Sequence, residues 1–422
     1  MTHDPSEYIK GLQQLLISDK KNIAFLFGAG TSLARKNINS IYVPAIDEMT
    51  QNIETILNKD KSYKKALKEI QEEIKLNKHS YNIESLLSNI ELKIKIIGGG
   101  TLNSLNKEGF ESLVKAIKIK IKKEVNVHDK ILKCKKENEL IHTDFAEWIG
   151  RANRKHSIEI FTTNYDYLFE LGLEEKNIPF YDGFTGSYKP FFNAESIEDM
   201  GFIPKQTKLW KIHGSLGWHY DSNAEKICRK ESDSEEFLIY PSTLKYSKSK
   251  KQPYTALMDR LTNFLKQPDT VLITCGYSFG DEHINERILT ALSNNDSGHV
   301  IALFYDIKQN NGKKEFLLEN STLSGLAKST KKLSAYGCRN AVIGGQFGEW
   351  KLKREPDKED TINIDIYFDE DSSIDSKAKV GEVQKGGEEW TGKGELTLPD
   401  FSKFVSFLQA MILEDDLLGD SQ

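Results

Sequence analysis

The sequence predicts an α/β fold built on a doubly wound parallel sheet, and two observations lead to that prediction. Short, continuously apolar runs recur along the chain, as expected of strands that are covered on both faces. Segments with helical spacing separate these runs, which is the alternation that a Rossmann-like sheet requires. The predicted strands are residues 23–27, 158–161, 209–212, 271–274 and 300–305, with a sixth at residues 341–343.

A helical insert is predicted between the first two strands, from about residue 47 to residue 156. Its clearest helix is predicted over residues 83–97, where the apolar residues step by three and four positions and so lie on one face. These residues are Ile83, Leu86, Leu87, Ile90, Ile94 and Ile97. The triplet Gly98-Gly99-Gly100 is expected to end this helix. Lysine-rich stretches at residues 59–78 and 115–136 are interpreted as the solvated faces of amphipathic helices.

The C-terminal part is acidic and rich in glycine and lysine. Residues 362–368 alternate and predict a half-exposed strand, and residues 369–389 predict a loop or mobile segment. A capping box of Thr397 and Asp400 is expected to start an amphipathic helix. Its apolar stripe fits either a partner or the chain's own core: Phe401, Phe404, Val405, Leu408, Met411 and Ile412.

These segments predict three parts, as expected for a chain of 422 residues. Residues 1–46 and 157–350 would form the Rossmann-like domain, with residues 47–156 as an inserted helical module. Residues 351–422 would form a small strand and helix element for oligomerisation or a partner.

Composition narrows the classes of function. With 58 basic and 63 acidic residues, the net charge of −5 gives no case for a nucleic-acid or membrane-surface binder, although a local DNA contact stays open. The four cysteines form no C-x-x-C pair, so neither a zinc ribbon nor a disulfide scaffold is expected. No apolar run approaches the ~20 residues of a membrane span. The first residues lack the basic start and apolar core typical of a signal peptide, so we expect a soluble cytoplasmic protein.

A glycine-rich turn follows the first predicted strand. Gly28, Ala29 and Gly30 lead from that strand into the polar pair Thr31-Ser32. Such a turn lets the backbone approach a pyrophosphate, and the next helix offers free N–H groups and a positive dipole. An ordinary tight strand–helix turn is the open alternative.

The second strand ends in the stretch Thr162-Thr163-Asn164-Tyr165-Asp166. Its amide and carboxylate fall just past the strand's carboxyl end, where open α/β sheets bind their ligands. Taken alone, the stretch is better explained by an Asx-type turn that caps the helix beginning near residue 167.

Two later strand ends carry further candidates. His213 precedes Gly214, whose small size leaves room for a substrate, and a near-neutral imidazole suits a general base. Gly276 and Ser278 follow the fourth strand and would offer open backbone and a hydroxyl to a ribose.

Three more polar residues lie near the ends of predicted strands. Asp281 is predicted to be the N-cap of the next helix, and His283 in that helix is interpreted as structural. Asp306 ends the fifth strand and could bind ribose hydroxyls. A strand-terminating turn explains Asp306 about equally well.

In this order, the four strand-end stretches resemble the sirtuin family. Sirtuins carry a Gly-Ala-Gly-x-Ser loop, a Thr-Gln-Asn-x-Asp motif, a His-Gly pair and a Gly-Thr-Ser. The corresponding residues here are Gly28-Ala29-Gly30-Thr31-Ser32, Thr162-Thr163-Asn164-Tyr165-Asp166, His213-Gly214 and Gly276-Tyr277-Ser278. The resemblance spans about residues 20 to 345.

The chain also departs from protein-deacylating sirtuins. It has no cysteine pairs for their zinc module, Thr163 stands where they have glutamine, and its helical insert is long. In these features it resembles the bacterial sirtuin-like branch of antiphage defence, which hydrolyses NAD. Its length and C-terminal element are most similar to the sirtuin-like subunit encoded beside a HerA-type ATPase.

The resemblance implies NAD as substrate, no zinc or other metal, and a role for each matching residue. Asn164 would position the attacking water and a ribose hydroxyl, and His213 would accept a proton. The glycine turn with Thr31 and Ser32 would hold the phosphates. Asp166 would orient the nicotinamide end, and Gly276 and Ser278 would contact the adenosine-side ribose. Thr163 and Asp306 are further candidate NAD contacts.

The implied activity is NAD hydrolysis that depletes cellular NAD in abortive infection, gated by a homo-oligomer or by the ATPase. The Lys-rich insert and the 401–412 stripe are candidate surfaces for that gating. A non-catalytic NAD or ADP-ribose sensor and a zinc-free protein deacylase stay open. A dehydrogenase is disfavoured because no hydride-side acid partner follows the glycine turn.

Overall fold

The computed structural model describes residues 1–76, 81–152, 154–202, 205–221, 223–230, 252–310, 312–356, 362–371 and 390–419. The helices are α1 (Pro5–Ile17), α2 (Ala29–Ser32), α3 (Ile46–Leu57), α4 (Lys61–Leu76), α5 (Ile83–Ile96), α6 (Lys107–Val125), α7 (His128–Cys134), α8 (Ile141–Arg151), α9 (Leu168–Glu175), α10 (Ala194–Glu198), α11 (Tyr254–Lys266), α12 (Glu282–Ser293), α13 (Thr322–Ser329) and α14 (Phe401–Gly419). The strands are β1 (Thr2–His3), β2 (Asn22–Phe27), β3 (Glu159–Thr162), β4 (Phe180–Tyr181), β5 (Phe184–Thr185), β6 (Phe191–Phe192), β7 (Thr207–Lys211), β8 (Trp218–Asp221), β9 (Lys226–Arg229), β10 (Thr270–Cys275), β11 (His299–Leu303), β12 (Ile307–Asn310), β13 (Lys313–Phe316), β14 (Leu333–Tyr336), β15 (Asn340–Ile343), β16 (Gln346–Trp350), β17 (Phe368–Glu370) and β18 (Gly394–Leu396).

A large, mostly parallel sheet organises the fold. In the described part of the chain its order is β1-β16-β15-β14-β11-β10-β2-β3-β7-β4. From β14 to β4 every neighbouring pair is parallel. The predicted α/β, Rossmann-like class is therefore confirmed, and all six predicted strands are present.

The sixth predicted strand departs from the parallel pattern. β15 runs antiparallel to both β14 and β16. Only residues 337–339 join β14 to β15, whereas a parallel crossover needs a dozen residues or more. The connection can therefore only be a hairpin.

Helical layers cover both faces of the sheet, as β2 shows. Phe25 and Phe27 lie in the core that α1, α8, α9 and α14 share with the sheet. Ala24 and Leu26 lie in the opposite core, with α11, α12 and α13. The alternation along β2 explains why the strand is apolar at every position from Ile23 to Phe27.

The insert has a hydrophobic core of its own. Helices α3 to α7 supply most of that core, with Ile53, Ile70, Ile90 and Phe110 fully buried. The predicted helix over residues 83–97 is present as α5 and ends before the glycine triplet. Helix α8 packs on the sheet instead, where the ring of Phe145 lies 5.2 Å from that of Phe25. The limits of 47–156 for an insert domain stay a prediction.

Two predictions for the C-terminal part were wrong. Residues 364–366 form a 3-10 helix, and strand β17 begins only at residue 368. The Asn363 side chain accepts from the Asp365 N–H, a local turn that competes with a strand. Asp400, rather than Thr397, caps α14 through the N–H of Ser402 at 2.8 Å. The loop predicted at 369–389 lies outside the described residues beyond residue 371.

The apolar stripe of α14 packs on the chain's own core. Phe401 lies with its ring 5.2 Å from that of Phe27, and Phe404 lies 6.2 Å from Phe25. The other stripe residues are buried as well: Val405, Leu408, Met411 and Ile412. Because the sheet already covers it, the stripe is not a partner surface, which corrects that expectation. Among the described helices, none is long and apolar enough to cross a membrane.

His142 on α8 makes folding stability depend on pH. Its ring is buried against Phe169 and Phe401 at 4.6 and 5.3 Å, and burial lowers its pKa to about 4. In the unfolded chain the pKa returns to about 6.5, so the unfolded state binds more protons below that value. We therefore expect the free energy of unfolding to fall as the pH drops from about 6.5 to about 4.

Urea unfolding at pH 7.5 and pH 5 measures this loss, with His142→Leu as the matched variant. The variant should lose less stability between the two pH values than the wild type. Some dependence should remain, because burial also lowers the pKa of His3, His128 and His299. An equal loss in both proteins would contradict the role given to His142.

Candidate functional site

The four stretches singled out in the sequence leave four consecutive strands of the sheet, β10, β2, β3 and β7. These strands are parallel, so their carboxyl ends meet at one edge. At about 4.8 Å per strand, the four ends span roughly 14 Å. The chain adds β3 and β7 on one side of β2 and then β10 on the other. This reversal of strand order creates the crevice in which α/β sheets bind ligands.

Asn164 joins the turn after β2 to the segment after β3. Its Nδ2 donates to the carbonyl of Gly28 at 3.1 Å, to Thr31 Oγ1 at 3.0 Å and to Ser32 Oγ at 2.8 Å. Its backbone N–H donates to Thr162 Oγ1 at 3.0 Å. The side chain is 6% exposed, and these bonds fix its orientation without using Oδ1.

Asp166 forms the predicted turn and also contacts the segment after β2. Its Oδ1 accepts from the Leu168 N–H at 3.1 Å, which is the predicted Asx-type turn at the start of α9. Its Oδ2 accepts from Ser32 Oγ at 2.6 Å. A single buried chain of hydrogen bonds therefore runs from Asp166 through Ser32 to Asn164.

The glycines after β2 and β10 let two turns touch. A Cβ on Gly28 would lie 2.4 Å from the carbonyl oxygen of Gly276, and a Cβ on Gly30 would lie 2.6 Å from the Gly276 Cα. Gly276 itself has φ +65, which disfavours any side chain. The N–H groups of Gly30 and Thr31 donate to the carbonyls of Gly276 and Gly28. These contacts support the tight-turn alternative, and phosphate binding by this turn stays a prediction.

His213 lies just past the end of β7 and contacts an acid from another strand end. Its Nε2 is 3.2 Å from Oδ2 of Asp281, and the two side chains are 14% and 17% exposed. Asp281 also caps α12 as predicted, because its Oδ1 accepts from the N–H groups of His283 and Ile284. The sequence analysis found the cap and missed the contact with His213.

A buried ion pair under the site was also missed. Lys211 Nζ lies 2.6 Å from Glu170 Oε1 and donates to the backbone carbonyl of Asp166. The same ammonium lies 4.8 Å from the centre of the Tyr167 ring. This cluster holds the end of β7 against the segment after β3. A lysine inside an otherwise apolar strand was the available sequence signal.

Three other predicted site residues keep part of their surface exposed. Ser278 is exposed, and its Oγ accepts from the Gly280 N–H at 3.3 Å. Ala29 is also exposed, at the turn after β2. Thr163 is half-buried, and its N–H donates to the Phe27 carbonyl at 3.0 Å. These three stay candidate NAD contacts, since each keeps accessible surface at the crevice.

Asp306 is enclosed by the backbone, and its contact with NAD stays a prediction. It is 2% exposed, and its carboxylate accepts from the N–H groups of Leu318 and Cys338 at 3.0 and 2.8 Å. A carboxylate so enclosed braces the backbone after β11, which is the strand-terminating alternative. Within the described residues, no group of three His, Cys, Asp or Glu side chains could hold a metal ion.

Comparison with known families gives one match. Residues 158–324 match the model of the SIR2-like domain. No curated protein matches the chain. The match runs from the start of β3 into α13, so it includes Asn164, His213 and Gly276 but not the turn at Gly28. It supports a sirtuin-like family and suggests NAD-dependent activity in general.

Proposed function

We propose that this protein is an NAD⁺ glycohydrolase, which cleaves NAD⁺ to nicotinamide and ADP-ribose. One observation carries the proposal. The neighbouring strands β3 and β7 bring Asn164 and His213 to one edge of the sheet, beside the turns that follow β2 and β10. Both residues lie within the stretch that matches the SIR2-like domain.

The reaction passes through a state with positive charge on the ribose, as in other glycosidic cleavages. Nicotinamide leaves as a neutral molecule, so the protein has to orient the ribose and deliver water. The Asn164 amide is already held by Gly28, Thr31 and Ser32 through Nδ2. In the proposed mechanism its Oδ1 accepts from the attacking water and from a ribose hydroxyl.

His213 supplies the base in this mechanism. The imidazole takes the proton from the water as the new bond to ribose C1′ forms, and the bond from C1′ to nicotinamide breaks with its electron pair going to nicotinamide. A positioned base of this kind contributes ~10²–10⁴-fold. Its 14% exposed side chain is reachable from the crevice.

We further propose that the activity serves antiphage defence and is gated by oligomerisation or by a HerA-type ATPase. This part rests on the resemblance to the bacterial sirtuin-like branch. The chain's own sheet covers the apolar stripe of α14. We therefore propose that the gating surface lies on the lysine-rich helices α4 and α6.

The test is to incubate the purified protein with NAD⁺, alone and with the ATPase, and to separate the products by chromatography. We expect nicotinamide and ADP-ribose to be released in equal amounts in at least one of the two conditions. Release only with the ATPase would show that the ATPase gates the activity. A cyclised product elutes separately from ADP-ribose. Bound but intact NAD⁺ in both conditions would favour a sensor, and acyl loss from acyl-lysine peptides would favour a deacylase.

A further inference from the structure

We propose that Asp281 is the positioning residue of His213, and that its carboxylate selects the tautomer in which Nε2 carries the proton and Nδ1 accepts one. The inference rests on the proposed function and assigns the base to a particular nitrogen. Asp281 does not touch the substrate in this scheme and acts only through His213.

The geometry of the pair supports this assignment. Oδ2 of Asp281 lies 3.2 Å from Nε2 of His213, within reach of an N–H hydrogen bond. A carboxylate only accepts, so a neutral imidazole in this contact must place its hydrogen on Nε2. Nδ1 is then the nitrogen able to take a proton from water, which is how an acid behind a histidine fixes its tautomer.

Hydrogen bonds to the second oxygen of Asp281 hold the carboxylate in place. Oδ1 accepts from the N–H groups of His283 and Ile284 at 3.1 and 3.3 Å, at the first turn of α12. The positive end of that twelve-residue helix favours the ionised carboxylate. Asp281 therefore ties the orientation of His213 to the helix after β10, which lies three strands away from β7.

Other titratable groups surround the pair. The hydroxyl of Tyr277 donates to the backbone carbonyl of Asp281, and burial together with the charge of Asp281 raises the pKa of Tyr277. Burial also raises the pKa of Tyr165, next to Asn164, with a smaller contribution from the charge of Asp281. His283 follows on α12. Both tyrosines stay neutral across the working range of pH, so neither adds a charge beside His213.

Asp281→Asn is the decisive variant, because asparagine caps a helix as well as aspartate but carries no charge. We expect kcat for nicotinamide release to fall about 10²-fold with KM nearly unchanged. The acid limb of the pH–rate profile should move to lower pH, since loss of a neighbouring anion makes the imidazole harder to protonate. A purely structural role would not move that limb.

Ser321→Ala is the matched control. Ser321 caps α13 through the Ser324 N–H at 3.1 Å, in the connection between β13 and β14 rather than at the start of α12. This variant should lose some thermal stability and keep the wild-type pH–rate profile. If Asp281→Asn also keeps the wild-type kcat and profile, the positioning role is overturned.

A second readout separates this inference from the proposed function. NMR titration of the His213 ring, assigned by comparison with His213→Gln, needs no turnover. A lower titration midpoint for His213 in Asp281→Asn supports the pairing even if the wild type releases no nicotinamide, in which case only the glycohydrolase proposal fails. An unchanged midpoint overturns the pairing whatever the activity.

Discussion

Alanine at Asn164 or at His213 is expected to lower nicotinamide release by more than about 10²-fold, the usual contribution of a positioned catalytic group. The two variants remove different functions. His213→Ala removes the base, whereas Asn164→Ala removes the Oδ1 that would orient water. The measurement is the initial rate of nicotinamide release from NAD⁺ at saturating substrate, under the condition in which the wild type is active.

The two variants should also differ in folding stability. The Asn164 amide donates to Gly28, Thr31 and Ser32, so its truncation removes three buried hydrogen bonds and should lower the free energy of unfolding by about 1–3 kcal/mol. Truncation of His213, which is partly exposed, should lower the free energy of unfolding by less. Thermal unfolding of both variants therefore has to accompany the rates.

His156→Ala is the control for the loss of a histidine, because His156 lies between α8 and β3, away from the carboxyl edge of the sheet. It should keep the wild-type rate. Folded Asn164→Ala and His213→Ala proteins that still release nicotinamide within about twofold of the wild-type rate would remove both residues from the mechanism.

The largest effect on stability is expected for Arg260→Ala, at about 3–5 kcal/mol of unfolding free energy. Arg260 is 1% exposed on α11, and its guanidinium donates to both oxygens of Glu159 at 2.9 and 2.5 Å. It also donates to the carbonyls of Ile197 and Asp199 at 3.1 and 3.0 Å. Truncation leaves an uncompensated buried carboxylate, with the Trp210 indole as its remaining donor at 2.7 Å.

Urea unfolding checks this value, and the ion pair of Arg287 with Asp259 is the matched control. Those side chains are 42% and 41% exposed, so Arg287→Ala should cost no more than about 1 kcal/mol. The double change Glu159→Leu with Arg260→Met should recover much of the lost stability, since it removes the stranded charge. A smaller cost for Arg260→Ala than for Arg287→Ala would contradict the assignment.

Local sequence was sufficient wherever neighbouring residues decide the structure. Five strands of the parallel core, β2, β3, β7, β10 and β11, could be predicted, because continuous apolar runs such as those around Phe25 and Ile273 suit a sheet covered on both faces. The short strands β4 and β14 of the same core were not predicted. The Asp281 cap followed in the same way from its position before a helix. Local reasoning failed at residues 362–368, where an Asn363 turn outweighed the alternating pattern.

The sequence by itself determined which chemistry stands at the end of each strand: glycines after β2 and β10, Asn164 and Asp166 after β3, and His213 after β7. Only the tertiary structure decided how these ends combine. Strand order and packing decide the contact of His213 with Asp281 and the ion pair of Lys211 with Glu170. They also decide the enclosure of Asp306 by backbone N–H groups. Those features come from packing between segments far apart in the chain, which no local pattern of residues records.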